Sequence, residues 1–149
     1  MIKDLPLRKI QEFVEVIRKS YFTVTWKDWP NVVVSGTPTE IEDWFRTYMH
    51  AEGMLQAYYY EGEEMNLRIP WGTDDENKQL EFHVRARTKG ENVELIAHIE
   101  RSRYEHKQDH IKEIGFSWDK GVTDLVQLMD DSPFDVKEVN DKGAIQKEI

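Results

Sequence analysis

Apolar and polar residues alternate along two runs of this chain, 79–87 and 93–100, with Thr88-Lys89-Gly90-Glu91-Asn92 between them. Leu80, Phe82, Val84 and Ala86 fall on one side of the first run, and Val93, Leu95, Ala97 and Ile99 on one side of the second. Alternation around a short Gly-containing turn predicts a β-hairpin with one buried face. With Lys89 and Gly90 at the tip, Arg85 faces Glu94 and Glu81 faces His98. Moving the tip to Gly90 and Glu91 keeps both faces but sets Glu81 opposite Glu100. Opposite charges across strands are worth a few tenths of a kcal/mol up to ~1, so charge pairing favours the first register.

The flanking patterns supply the other elements. Asp4 is placed to cap a helix running to Ser20, with Ile10, Phe13, Val14 and Ile17 at i, i+3, i+4, i+7 spacing. Tyr21–Trp26 and Val32–Val34 read as strands of a hairpin around Lys27–Asn31. Thr37-Pro38-Thr39-Glu40 has the form of a capping box with Pro at the first helical position. It opens a helix with Ile41, Trp44, Phe45 and Tyr48 as its buried stripe, Gly53 as its stop, and His50 near its dipole-favoured end. Met54–Tyr60 and Met65–Trp71 read as a second hairpin that sets Tyr58, Tyr60, Leu67 and Ile69 on a common face, with Pro70 at an edge or terminus. Ser102 can cap a short helix to Gly115. Ser117 can cap another with the stripe Trp118, Val122, Leu125, Val126 and Met129, which Gly121 weakens by up to about 1 kcal/mol.

These elements predict an α+β fold: a single domain over 1–130, with an antiparallel sheet of about six strands. An N-terminal helix, a central helix and C-terminal helix or helices pack on one face. Residues 131–149 are polar, with scattered apolar positions, and are expected to form a C-terminal tail. Two architectures share this order of elements. A curved sheet gripping a C-terminal helix looks like the helix-grip ligand-binding domains; an acidic α+β chain with an N-terminal helix looks like small dimeric secretion-chaperone folds. No motif carries either comparison, so neither transfers a functional residue.

Length and charge narrow the function classes. A chain of 149 residues can bury roughly two thirds of its unfolded surface. It has no Cys, which removes disulfides, thiolate nucleophiles and Cys-based metal sites. The first residues have no apolar signal segment, and no apolar run reaches about 18 residues, so a soluble, cytoplasmic protein is expected. Twenty Lys and Arg against 29 Asp and Glu give a net charge of −9, which disfavours nucleic acid as a partner. The expected partner is another protein or a second copy of the chain.

Candidate chemistry lies in three places. His106 and His110 stand four apart with Glu105 and Asp109 beside them, a spacing that puts both imidazoles within reach of one divalent ion if the segment is helical. The sequence lacks the inner Glu of His-Glu-x-x-His, and a solvated polar segment explains the same pattern. His83, Arg85, Arg87 and His98 mark the polar face of the hairpin, where cross-strand pairing with Glu94 and Glu91 is the plainer reading. Trp44, Tyr58, Tyr60, Phe82 and Trp118 could line an apolar pocket between the sheet and the terminal helix, and core packing accounts for them equally well. Asp74, Asp75 and Glu76 lack the spacing of a calcium loop. No phosphate-binding glycine motif and no nucleophile motif is present. The expectation is therefore an acidic binding or interaction module without evident catalysis and without a predicted cofactor. The alternatives are a binder of a small apolar ligand and a metal-dependent activity at His106 and His110.

Overall fold

The structure is a computed structural model that describes residues 7–13, 23–53, 59–102, 105, 108–109 and 116–143. It is an α+β arrangement built on a six-stranded antiparallel sheet. In chain order the elements are α1 (helical over 7–13), β1 (Thr23–Val24), β2 (Asn31–Val34), α2 (Pro38–Tyr48), β3 (Glu52–Gly53), β4 (Tyr59–Tyr60), β5 (Met65–Thr73), β6 (Gln79–Lys89), β7 (Asn92–Arg101), α3 (Trp118–Asp130) and β8 (Val136–Asn140). The large sheet runs β3-β5-β6-β7-β2-β8, and β1 and β4 form a separate parallel pair.

The long hairpin β6–β7 is present with its faces as expected, but in the other register. Lys89 pairs with Asn92, leaving Gly90 and Glu91 as a two-residue turn, and Glu81 stands opposite Glu100. Gly90 has φ +62° and Glu91 is not at positive φ, the pattern of a hairpin turn with Gly first. With Lys89 and Gly90 at the tip, a lysine would take the left-handed first position. Backbone handedness thus outweighs the few tenths of a kcal/mol in charge pairing.

Other expectations change for similar reasons. β1 does not form a hairpin with β2. It pairs in parallel with β4, while β2 is buried between β7 and β8. Residues 136–140 are not tail: Val136 and Val139 pair with Val34 and Val32, with a register shift between Val33 and Val34 that accommodates their three-residue spacing. Of the strand expected over Met54–Tyr60, residues 54–58 lie outside the described residues; Tyr59–Tyr60 form β4, and β3 is Glu52–Gly53. The helix opened by Thr37 starts as expected, with the Thr37 hydroxyl accepting the Glu40 N–H at 3.2 Å. It stops at Tyr48 rather than at Gly53. His50 takes φ +54°, and the Ala51 N–H turns back to the Phe45 carbonyl at 3.1 Å.

One core fills one side of the sheet. Phe82, Val84, Ala86, Val93, Leu95, Ala97 and Ile99 meet Ile41 and Phe45 of α2 and Val122, Leu125 and Met129 of α3. Ser117 caps α3, accepting the Lys120 N–H at 3.1 Å. Gly121 permits α3 to lie directly against β7. A Cβ there would stand 2.2 Å from the Ala97 carbonyl oxygen, so the residue that weakens the helix allows a close helix–sheet approach.

Candidate functional site

The opposite side of β6 and β7 carries polar residues, and it is buried as well. Glu81, His83, Arg85, Glu94, His98 and Glu100 are all at most 5% exposed. The register arranges them in rows across the sheet. Glu81 stands beside Glu100, His83 lies between Arg68 and His98, Arg85 stands between Asn66 and Ile96, and Arg87 faces Glu94.

Aromatic side chains lie over these rows. Trp29 stacks between Tyr60 and Trp118, with ring centroids 5.0 Å away on each side. Trp118 and Phe116 contact the His98 ring at 4.7 and 4.0 Å. The Arg85 guanidinium lies 3.7 Å from the Tyr60 ring centre, and that of Arg87 lies 4.4 Å from Trp26. The loop before β2, the β4 turn and the start of α3 thereby meet over the polar face. Buried charge is tolerated where it is paired and bonded. Arg68 sits 3.5 Å from Glu81, Arg85 3.7 Å from Glu63, and Arg87 3.0 Å from Glu94.

Glu100 sits between two imidazoles. His98 Nε2 is 3.1 Å from one carboxylate oxygen, and His83 Nδ1 is 3.6 Å from the other. One ligand atom from each of His83, His98 and Glu100 lies within 4.8 Å of the other two. Four ligands at about 2.0–2.1 Å from a tetrahedral ion stand about 3.3 Å from one another. The two contacts to Glu100 are close to that spacing and end on different oxygens of the carboxylate. His83 Nε2 is 2.5 Å from Asn66 Oδ1. An amide oxygen can only accept, so Nε2 carries the proton and donates it. Nδ1 faces the Glu100 carboxylate. A partner that sets a histidine's tautomer in this way is the usual companion of a metal-ligating imidazole.

The site residues expected from sequence are distributed as follows. His83, Arg85, Arg87 and His98 share one face, buried rather than solvated except at Arg87. Of the pocket candidates, Tyr60 and Trp118 lie over this polar face. Phe82 is fully buried in the core on the other face, half-buried Trp44 packs against Phe45 on that side, and Tyr58 lies outside the described residues. Val122, Leu125 and Met129 of α3 are buried in the core with the sheet residues. His106 and His110 lie outside the described residues. Glu105 is exposed, and Asp109 bonds Arg101 at 3.0 Å. Both faces of β6 and β7 are covered through their central stretch, so a partner has no open sheet face there.

Arg101, at the end of β7, also binds Asp74 at 2.8 Å and Glu76 at 3.0 Å. The Lys78 N–H first, and then Arg101 and the Glu76 N–H, hold the Asp74 carboxyl below the usual carboxylate range against the opposing effect of desolvation. The bond from Asp74 raises the Arg101 guanidinium above its ordinary value. The acidic loop is therefore tied to the sheet by an arginine.

Two participants were missed in the sequence reading, Glu100 and Asn66. Alternation places Glu100 on the face of His98, but its approach to His83 depends on the register, and Asn66 comes from β5, the strand beside β6. Comparison of the chain with protein-family models, with curated proteins and with solved structures gives no match.

Proposed function

We propose that this protein binds a divalent transition metal, held by His83, His98 and Glu100. The observation that carries the reading is the convergence of two imidazoles and one carboxylate within 4.8 Å, with His83 oriented by Asn66. Two nitrogen donors and one oxygen suit zinc, iron, nickel or manganese in preference to calcium or magnesium, which take oxygen ligands. Three protein ligands leave a position for a fourth, and the aromatic cover makes the surroundings dry and low in dielectric. Each added charge–dipole contact is stronger there than in water. The ion would link β6 to β7, with Phe116 and Trp118 packed on the His98 ring.

The ligands are at most 2% exposed, so the ion enters during folding or when the cover opens. The test follows from that. The protein is unfolded in urea with a chelator and refolded with one equivalent of zinc, nickel or manganese or with none, then dialysed and assayed for metal. One retained ion per chain and a higher melting temperature are expected, both lost in His98→Ala and in Glu100→Gln. Refolding without retained metal, with the same melting temperature in every arm, would overturn the proposal.

A further inference from the structure

A second site lies at the hairpin-tip end of the sheet, apart from the histidines. Trp26, Arg87, Glu94 and neighbouring loops bound an open basin of about 670 Å³, within the usual size range of small-ligand sites. Glu94 is buried, and its two oxygens take the Trp26 indole N–H at 3.3 Å and Arg87 Nε at 3.0 Å. The Arg87 guanidinium also lies flat enough on Trp26 to sit 4.4 Å from its ring centre. Stacking and one bond through Nε hold the guanidinium in place while its side chain stays 32% exposed. Arg87 lines the basin, and its planar guanidinium donors suit a carboxylate.

The remaining charges decide what else the ligand carries. Lys27 and Lys89 line the basin beside Arg87, and Glu61 and Glu64 line it from the turn before β5. Lys142 and Asp28 occupy each other at 2.6 Å, as Arg87 and Glu94 do at 3.0 Å. Lys27, Lys89, Glu61 and Glu64 remain, with one Glu64 oxygen already taking the Thr88 N–H and hydroxyl, so the wall is neutral in sum and carries both signs. An anion alone would meet the two glutamates, and a cation alone would meet Arg87 and the lysines. A ligand with both charges satisfies each set.

We infer that this basin binds a small zwitterion of the α-amino-acid class, its carboxylate on the Arg87 fork and Lys89, its ammonium toward Glu61 and Glu64. The inference is independent of the metal proposal, because none of the residues that form it is a metal ligand.

The test is amide NMR titration of the whole protein with L-alanine and L-serine and, separately, with acetate, methylammonium and inorganic phosphate. Saturable shifts at the Trp26 indole and at Lys89 are expected with the amino acids, and at least tenfold weaker response with each single-charge probe. Arg87→Gln should abolish the amino-acid response. Lys89→Gln, at an exposed rim position that leaves the Glu94 contacts intact, should weaken it severalfold with an unchanged melting temperature. No saturable shift with any amino acid, phosphate or acetate binding as tightly as the zwitterion, or an unaltered response in Lys89→Gln and Arg87→Gln would overturn it.

Discussion

His83 and His98 stand directly opposite each other across β6 and β7, their rings 4.9 Å apart and edge to face. That pairing follows from the turn at Gly90 and Glu91. With the tip one residue earlier, Glu81 would face His98 and the two imidazoles would be offset. The metal proposal therefore depends on a turn seven residues away along each strand, about 23 Å, since each residue advances the chain by about 3.3 Å.

Gly90→Ala is expected to destabilise the protein by about 1–2 kcal/mol, the cost of placing an L-residue in the left-handed region. The site has nothing within 4 Å of the added methyl, so the effect isolates backbone conformation. Urea denaturation measures it. An unchanged midpoint would mean that the turn does not set the register.

Gly121→Ala tests the contact of α3 with β7. Helix propensity alone favours Ala by about 1 kcal/mol. The Cβ would overlap the Ala97 carbonyl oxygen, which is backbone and cannot swing away. Overpacking of this kind costs about 1–3 kcal/mol, so a net loss of stability is expected. A rise in the thermal midpoint would show that the helix stands farther from the sheet.

Asn66→Ala removes the acceptor that orients His83 while leaving all three proposed ligands in place. Loss of such a partner lowers metal affinity by about 10–100-fold. Competition with a chromophoric zinc chelator should show that weakening, with the stoichiometry still at one ion per chain. Affinity equal to that of the unaltered protein would exclude Asn66 from the site.

The Asp74 carboxyl is held below the usual range, so its contribution to stability is present above its unfolded pKa, about 3.9, and is lost as pH falls through the folded value. Asp74→Asn should lower the melting temperature at pH 7. The gap between variant and parent should narrow as pH drops from about 4 toward 2. Melting curves across pH 2–7 check the sign; a gap that widens in acid would contradict it.

Much of the fold is legible in residue order. Alternation in 79–87 and 93–100 sets which side chains share a face, because successive side chains on a strand point to opposite sides. Thr37 and Ser117 mark helix starts through local hydrogen bonds, and Pro38 through its fixed φ, none of which needs a tertiary partner. The same locality hides the rest. β1 pairs with β4 and β2 with β8 across long loops, and composition carries no signal for such pairings. A polar strand face looks solvated in sequence, whereas here Trp29, Tyr60, Phe116 and Trp118 arrive from three separate segments to cover it. The sequence by itself determined the two faces of the hairpin. Only the tertiary structure decided that both would be buried and that Glu100 would lie between His83 and His98, because that depends on a one-residue choice of register and on contacts between segments far apart in the chain.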